Sequence, residues 1–416
     1  MTRCIAAALV WALAAGLAWG AQESQCVRCH SYAVRREWLN IVPQWKRSVH
    51  AAQGVGCEGC HGGNPRGEGF NDAMYGVPGF TAAWAKRDIP AMCARCHADP
   101  ARMRPYGIPT DQYDQYRDSV HGQRLLQHGD GNVAACTNCH GVHEIRAPDD
   151  PKSSVFKPNI PKLCAHCHAD KGLMAGYGLP ANEYDLYVKS VHGVELLQQQ
   201  VRSAPACPDC HGAHGATPPG VSEVPAVCGK CHAATEGYFG SGAHGAALQA
   251  TGKPRCVNCH GSHGIQMPTD DMLVGGRQGH CGACHAPGSK ERAVGERYYA
   301  MMTDASKRMR GAARLVDLAQ AAYMDIGDLR PELQKAYTGV TEARAMQHTV
   351  SSALVEGRVV RAEKILASVR RAALAALADA RRRRHTVLGG ALLALFGAAV
   401  LWLKRRQVMG ADVRGG

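Results

Sequence analysis

Hydrophobic and polar residues are arranged differently in three parts of the chain. Residues 5–17 form a short apolar run close to the start. From residue 26 to residue 285 apolar residues follow no sustained period, and Gly and Pro repeatedly interrupt short helical stretches. After residue 287 apolar residues recur at helical spacing. The pattern predicts a mainly α chain with extensive loops in its middle part and long helices in its last third.

The first apolar run has the features of an export signal. Arg3 precedes it, and the small residues Ala18 and Gly20 follow it at the positions that a signal peptidase requires. We therefore expect residues 1–20 to be a cleaved signal peptide. Cys4 lies ahead of the apolar run and should leave with it.

A second apolar run lies near the end of the chain. Residues 386–403 contain no charge, and their 18 residues are long enough to span a bilayer core. Basic clusters at 381–384 and 404–406 flank this run on both sides. The sequence predicts one transmembrane helix here, followed by a cytoplasmic tail of residues 404–416.

Residues 287–385 are predicted to form a helical hairpin. Two apolar stripes at helical spacing are separated by a break at 327–331, where Pro331 suits the first turn of a new helix. The first stripe consists of Met309, Ala313, Val316, Ala319, Tyr323 and Ile326, and the second of Leu333, Ala336, Val340, Ala343, Val350 and Leu354. A simple stalk or a coiled-coil dimer seam is the alternative interpretation of these stripes.

Cysteine spacing indicates the chemistry of the middle part. The chain has 19 cysteines, and the 18 that follow Cys4 all lie in nine C-x-x-C-H motifs. This motif attaches haem c: two thiols bond the macrocycle and the adjacent histidine ligates the iron as its proximal ligand. The predicted haem-binding cysteines are Cys26, Cys29, Cys57, Cys60, Cys93, Cys96, Cys136, Cys139, Cys164, Cys167, Cys207, Cys210, Cys228, Cys231, Cys256, Cys259, Cys281 and Cys284. The predicted proximal ligands are His30, His61, His97, His140, His168, His211, His232, His260 and His285.

Disulfides and zinc are the competing explanations for these cysteines. A disulfide framework does not require a histidine after every second cysteine. Zinc takes C-x-x-C pairs two at a time, and nine is an odd number. Residues 21–286 also lack the side chains for an ordinary core, since the whole chain has only five Phe. We therefore expect nine covalent haem c groups to form the core of this domain, which should not fold without them.

Internal repeats organise this predicted haem domain. The segment 106–122 recurs at 177–193, with Y-G-x-P and S-V-H-G in both copies, 71 residues apart. Each of four repeats begins with a histidine, continues with a first C-x-x-C-H motif and ends with a second one, while the motif of residues 26–30 stands ahead of them. The histidines that begin the repeats are His50, His121, His192 and His244, and those three residues beyond a proximal ligand are His143, His214 and His263.

These seven histidines are predicted to be distal ligands, on the second face of the irons. His143 follows His140 too closely to pass around the edge of the macrocycle, so it should ligate a neighbouring haem, as should its two counterparts. Nine irons need nine distal ligands. The shortfall of two is expected at the leading haem and in the first repeat, where His61 is followed by Gly62 and Gly63. An iron left open could bind a small substrate.

Five histidines lie outside the repeat pattern, and a solvated or hydrogen-bonded loop position is the preferred interpretation for each. They are His128, His166, His280, His348 and His385. His280 or His348 could nevertheless fill a gap in the ligand set, as could Met74 or Met92.

Charge is distributed unevenly. Residues 1–285 contain 25 basic and 23 acidic residues, whereas residues 286–416 contain 23 and 12, so most of the net charge of +13 lies in the last part. Basic residues beside a transmembrane helix favour contact with anionic lipid. No aromatic residues are interleaved with them, and we expect no nucleic-acid partner.

The S-V-H-G element, the C-x-x-C-H-G-x-H element and the second C-x-x-C-H together resemble the multihaem c-type cytochromes with doubled C-x-x-C-H motifs. This resemblance covers residues 26–285. A second resemblance, confined to helices that follow a haem-packed domain, is to the hydroxylamine oxidoreductase and cytochrome c nitrite reductase superfamily, although no C-x-x-C-K motif is present. The resemblance implies periplasmic electron transfer, linked to a quinol pool, with some relatives reducing nitrogen or sulfur oxyanions.

We therefore expect a single-pass protein of the inner (cytoplasmic) membrane with a periplasmic haem domain. It should transfer electrons between a membrane quinol or quinol-linked oxidoreductase and soluble periplasmic redox proteins. The alternative is an oxidoreductase that acts on a small nitrogen or sulfur compound at an under-ligated haem. A haem-storage role is disfavoured because two histidines per iron make low-spin redox centres.

Overall fold

The computed structural model describes residues 24–32, 38–220, 223–277 and 280–412. The predicted signal peptide lies outside these ranges. Every regular element of the described residues is a helix, and loops connect the helices over much of the chain. The prediction of a mainly α chain with extensive loops is therefore confirmed.

The chain divides into two compact units, and the division falls inside the predicted haem domain. The first unit comprises the chain up to residue 219 together with residues 263–265. The second comprises residues 220–262 and the chain from residue 266 onward.

The first unit consists of short helices of four to nine residues. They are α1 Gln25–Ser31, α2 Ile41–Lys46, α3 Val49–Ala52, α4 Cys57–His61, α5 Ile89–His97, α6 Pro100–Met103, α7 Gln112–Asp118, α8 Val120–Leu126, α9 Cys136–His140, α10 Ile160–His168, α11 Lys171–Ala175, α12 Glu183–Val188, α13 Val191–Leu197 and α14 Cys207–His211. A π-helical turn at Asn71–Tyr75 and 3-10 turns at Lys86–Asp88, Arg104–Tyr106 and Lys157–Asn159 complete this unit.

The apolar clusters of the first unit are small. One joins Tyr116, Leu125, Val133 and Ala135, and another joins Leu196 to two alanines. Clusters of this size cannot stabilise about 200 residues by themselves. The scarcity of apolar side chains seen in the sequence is thus also seen in the packing.

The second unit begins with four short helices and continues with three long ones. They are α15 Val224–Gly229, α16 Ala233–Gly240, α17 Ala243–Thr251, α18 Cys256–His260, α19 Lys290–Ala321, α20 Leu329–Met346 and α21 Ser352–Asp412. The 3-10 turns Asp270–Leu273, Cys281–Ala283 and Gln347–Thr349 lie between them.

Helices α19, α20 and α21 pack around an apolar core that consists of two clusters. One end of this core consists of Tyr298, Met302, Ala305, Val340, Ala343, Val355, Val359 and Ala362. The other end consists of Ala312, Val316, Ala336, Leu366, Val369 and Ala373. Residue numbers rise along α19 and α21 and fall along α20 between the two ends, so α20 is antiparallel to both of its neighbours.

The second predicted stripe differs from the structure at its end. The sequence suggested one stripe from Leu333 to Leu354, but the helix stops at Met346 and α21 starts at Ser352. Both helices bury apolar residues in the same core, so the stripe continues across the break. The turn between them contains neither Gly nor Pro, so no turn-forming residue predicts it.

Helix α21 extends well beyond the core it shares with α19 and α20. Its 61 residues correspond to a length of about 90 Å at 1.5 Å per residue. The part that contains residues 386–403 is fully exposed, and it is long and apolar enough to cross a membrane. Leu392, Phe396 and Leu401 are among its exposed apolar side chains.

Candidate haem-binding sites

The first motif of each repeat forms a five-residue helix that ends at its proximal histidine. A glycine with positive φ follows each of these helices: Gly62 (69°), Gly141 (82°), Gly212 (82°) and Gly261 (76°). Side chains rarely adopt this left-handed backbone conformation, which explains why glycine follows the motif. The glycine thus lets the chain turn away from the motif, where a haem would be attached.

The second motif of a repeat is positioned by a different helix. In α5 and α10 the motif occupies the last turns of a nine-residue helix, and each helix has Ile-Pro at its start. Proline suits the first turn because it has no N–H group to leave unbonded. Helix α15 starts with Val224 and Pro225 in the same way, and it ends at Gly229, inside its motif.

Three of the predicted distal histidines lie in helices that begin at a buried serine. Ser48, Ser119 and Ser190 are the N-caps, and each side chain accepts a hydrogen bond from the backbone N–H three residues later. The histidine is always the second residue of the helix. In the fourth repeat Gly242 is the N-cap of α17, which carries His244.

Backbone hydrogen bonds connect the distal-histidine helix of each of the first three repeats to the following repeat. Val49 N–H donates to the carbonyl of Ile145 (2.9 Å), Val120 N–H to that of Ala216 (3.3 Å) and Val191 N–H to that of Ile265 (2.8 Å). Each acceptor lies two residues beyond His143, His214 or His263. The bond therefore places the third histidine of one repeat beside the preceding repeat.

Histidine rings lie in pairs across a gap of constant width. The pairs are His50 with His97 (6.0 Å between ring centroids), His61 with His143 (6.4 Å), His121 with His168 (6.1 Å), His140 with His214 (6.0 Å), His211 with His263 (5.8 Å), His244 with His285 (6.1 Å) and His260 with His348 (6.2 Å). An iron about 2 Å from a nitrogen of each ring, the usual metal–imidazole bond length, requires a centroid separation of about 6 Å. The pairs thus fit an iron with two axial histidines.

The pairs follow one register. A histidine that begins a repeat faces the second motif of the same repeat, as His121 faces His168. The third histidine of a repeat faces the first motif of the preceding repeat, as His214 faces His140. The first motif of the first repeat is no exception, because His61 faces His143. The first repeat, for which the sequence predicted a shortfall, thus has a histidine facing its first motif. By this register a histidine after His61 would face a motif ahead of the first repeat.

Burial favours the neutral form of these imidazoles. It lowers the pKa of His50, His121, His140, His143, His214, His244, His260 and His263, and a neighbouring histidine lowers each of these pKa values further. A neutral imidazole is the form that ligates a metal. His61 Nδ1 donates to the carbonyl of Thr81 (2.8 Å), which leaves its Nε2 lone pair for an iron.

Cysteine thiols of successive motifs lie next to each other. Hydrogen bonds join Cys26 to Cys57, Cys93 to Cys136, Cys164 to Cys207 and Cys228 to Cys256. Cys60 lies close to Cys96, Cys139 to Cys167 and Cys259 to Cys281. Haems attached at these thiols would follow one another in sequence order, motifs one to six in the first unit and motifs seven to nine in the second.

The leading motif has a different neighbour. The ring of His30 lies 6.0 Å from that of Trp38, where a second histidine would be expected. An indole has only an N–H donor and cannot ligate the iron. The Cys26 thiol contacts Cys57 as the second motif of a repeat contacts the next first motif, so the leading motif corresponds to a second motif. The distal histidine of a second motif precedes it in the chain. Residues 1–25 contain no histidine.

The remaining histidines have varied surroundings. His348, which the sequence pattern left outside the repeats, faces His260. His128, His166 and His385 are exposed, and His280 Nδ1 is buried without a hydrogen-bond partner. Nothing in the spacing of the motifs pointed to His348 rather than to His280.

Sequence comparison connects this arrangement to known proteins. The chain is 40% identical to the C-type polyheme cytochrome OmcC of Geobacter sulfurreducens over 170 residues, which cover 36% of this chain and 20% of that protein. It is 26% identical to the multiheme cytochrome MtrA of Shewanella baltica over 228 residues, 51% of this chain and 53% of that one. These relatives are multihaem c-type cytochromes, and the nine C-x-x-C-H motifs of the chain fit that family.

A third relative is similar over a shorter stretch. The chain is 30% identical to the C-type polyheme cytochrome OmcB of Geobacter sulfurreducens over 125 residues, 29% of this chain and 14% of that protein. The chain thus spans about a fifth of the length of OmcC and about half that of MtrA. No protein-family model matches the chain. Haem c is its cofactor, as the motifs and these relatives agree.

Proposed function

We propose that the chain is a membrane-anchored periplasmic cytochrome with nine covalent haems, which transfers electrons between a membrane quinol or quinol-linked oxidoreductase and soluble periplasmic redox proteins. The repeated pairing of histidine rings at 5.8–6.4 Å carries this proposal. Two axial histidines make an iron low-spin and leave no position open for a substrate, which suits a carrier.

The proposed ligand set is nearly complete. The nine proximal histidines of the motifs ligate from one face. His50, His121, His143, His214, His244 and His263 ligate from the other, as does His192, which begins the third repeat and lies second in α13 as His121 does in α8. Together with His348, these make eight distal histidines for nine irons, and the haem of His30 is the exception.

The order of thiol contacts supports transfer along a row. Haems attached to adjacent thiols have macrocycle edges close together, so electrons can pass between successive motifs within each unit. The terminal haem of His30 faces a half-exposed Trp38. The net charge of +11 over residues 286–416 supports contact with anionic lipid beside the proposed transmembrane segment, 386–403.

Membrane anchoring is tested by a variant that ends at residue 380. It should be released as a soluble, red periplasmic protein, while the full chain should remain in the membrane after a high-salt wash. The replacement Leu392→Arg with Phe396→Arg in the full chain is a second test, because charged residues at mid-helix oppose insertion. Retention of the shortened chain in salt-washed membranes would show that another part anchors it.

Electron transfer is tested by following haem absorbance in membranes that contain the full chain and a quinol oxidoreductase. Addition of a reduced naphthoquinol should reduce the haems, and an oxidised soluble c-type cytochrome should then reoxidise them. The released variant, mixed with the same membranes, should be reduced more slowly because it is no longer held at the surface. Haems that stay oxidised with quinol but accept electrons from dithionite would contradict the quinol assignment.

A second candidate function rests on the pair His30–Trp38. An iron with only one axial histidine has an open position, so the leading haem could bind and reduce a small nitrogen or sulfur compound. Binding of nitrite or hydroxylamine to one high-spin haem with turnover would favour this enzyme function. Failure of carbon monoxide, nitrite and hydroxylamine to bind would leave the carrier function alone.

A further inference from the structure

We propose that His348, on the turn between α20 and α21, is the distal ligand of the haem attached at Cys256 and Cys259. The turn would thus supply the histidine that a fifth repeat would otherwise supply. The inference rests on the proposed haem function and assigns a ligand that lies outside the C-x-x-C-H repeats.

The geometry around His348 matches that of the other histidine pairs. Its ring lies 6.2 Å from that of His260 with 29° between the planes, inside the range of the other pairs. Its Nδ1 lies 2.9 Å from the carbonyl of Ala345. A carbonyl only accepts, so Nδ1 must carry the proton and Nε2 keeps a lone pair for iron. His61 has the same arrangement with the carbonyl of Thr81.

The repeat register leaves a vacancy in the ligand set that His348 fills. The first motifs of the first three repeats each face a histidine of the following repeat: His143, His214 or His263. The fourth repeat has no following repeat, because long helices begin at Lys290. Its first motif, with His260, would otherwise lack a partner by this register.

The turn also occupies the backbone position of a following repeat. In each of the first three repeats the start of the distal-histidine helix lies against the chain just beyond the third histidine of the following repeat. In the fourth repeat that start is Gly242, the N-cap of α17. A Cβ atom on Gly242 would lie 2.7 Å from the carbonyl oxygen of His348 and 2.8 Å from that of Thr349. The turn is thus packed against α17 where the next repeat would be.

The conformation of the turn and an ion pair beside it both indicate that the turn is held in place. Val350 has φ of 55°, a left-handed conformation that is unusual for a β-branched residue. Such conformations persist where surrounding contacts impose them, and they are common at ligand sites. Arg344, in the last turn of α20, pairs with Asp270 (3.1 Å) and donates to the Ser306 hydroxyl (2.9 Å). Asp270 lies in the loop between the eighth and ninth motifs, so this pair fixes the turn relative to both haems.

The assignment has a consequence for the last haems. Helix α21, which contains the proposed transmembrane segment, begins four residues after His348. An iron–His348 bond would therefore connect the eighth haem directly to the helix that anchors the protein. Terminal elements that close a repeat array in this way are a general requirement of repeat proteins.

The test is electron paramagnetic resonance of the oxidised, full-length holoprotein carrying His348→Ala. One haem should change from low-spin to high-spin, and the reduced protein should gain one binding site for carbon monoxide. His128→Ala, at an exposed histidine, is the matched control and should leave the spectrum unchanged. A folded H348A protein with the wild-type spin count would overturn the assignment.

A second variant covers the case in which H348A does not fold. Methionine is also an axial ligand, and it raises the haem potential relative to histidine. His348→Met should therefore keep all but one of the haems at their potentials and shift one upward, with no new high-spin iron. Unchanged potentials in H348M would show that His348 is only structural. Spin state and potential are measured without quinol, so a failed quinol reaction would contradict the proposed function and leave this assignment intact.

Discussion

Gly122 is the position where one added methyl group should remove an iron ligand. It follows His121 in α8, and its Cβ would lie 1.8 Å from the carbonyl oxygen of Tyr116. An ordinary contact begins at 3.4 Å, so Gly122→Ala requires the helix start to retreat by about 1.6 Å. A metal–imidazole bond of about 2 Å cannot lengthen by that amount. We expect His121 to leave its iron.

The energetic cost should also be measurable. Overpacking of this kind typically costs about 1–3 kcal/mol. Ser119, whose side chain bonds both Gly122 N–H (3.0 Å) and the Tyr116 carbonyl (2.6 Å), fixes the two segments together and limits relaxation. The first repeat has Ala51 at the equivalent position, so the requirement for glycine belongs to the later repeats. In the third repeat a Cβ on Gly193 would lie 2.0 Å from the carbonyl oxygen of Tyr187.

The assay is visible and electron paramagnetic resonance spectroscopy of the purified oxidised protein. Gly122→Ala should convert about one haem to high spin. Gly131→Ala is the matched control, because a Cβ there meets nothing within 4 Å. A G122A protein with all its low-spin signals and wild-type stability would refute the claim that α8 holds an iron ligand against the preceding helix.

Three further predictions concern stability. Met302→Ala, in the core of α19–α21, should lower the free energy of unfolding by about 2–5 kcal/mol in a urea titration. Leu318→Ala, on the exposed side of α19, is the control and should change it by about 0.5 kcal/mol or less. Ser119→Ala should cost about 1 kcal/mol by loss of the N-cap, seen as a lower melting temperature, and Ser119→Thr should recover most of it. Protein made without haem attachment should be digested by protease over residues 24–219 while α19–α21 resist, since only the latter have a large apolar core; a protease-resistant first unit without haem would contradict this.

Much of this arrangement can be predicted from the sequence because covalent haem attachment requires a fixed local pattern. C-x-x-C-H must be contiguous for two thiols and an imidazole to reach one macrocycle. Proline and serine likewise favour the start of the helix in which they lie. Helix starts near Pro331 and at the serines before His50 and His121 can therefore be predicted from adjacent residues.

The distal partners are harder to predict because they depend on contacts between repeats. Spacing predicted that His143 serves a neighbouring haem, but only contacts in the folded chain, the ring pair with His61 and the backbone bond from Val49 to Ile145, place it beside the preceding repeat. His348 lies in a turn with no Gly or Pro, within an apolar stripe that continues on both sides. Its role depends on the packing of that turn against α17, which no local pattern encodes.

The intact mass of the mature holoprotein tests the central claim most directly. We predict the mass of the chain from residue 21 onward with nine covalently attached haems and no free thiol, since all 18 remaining cysteines lie in attachment motifs. Denaturation with a chelator should leave that mass unchanged, because thioether bonds hold the haems. A mass with fewer haems, together with free thiols, disulfides or zinc lost to the chelator, would contradict it.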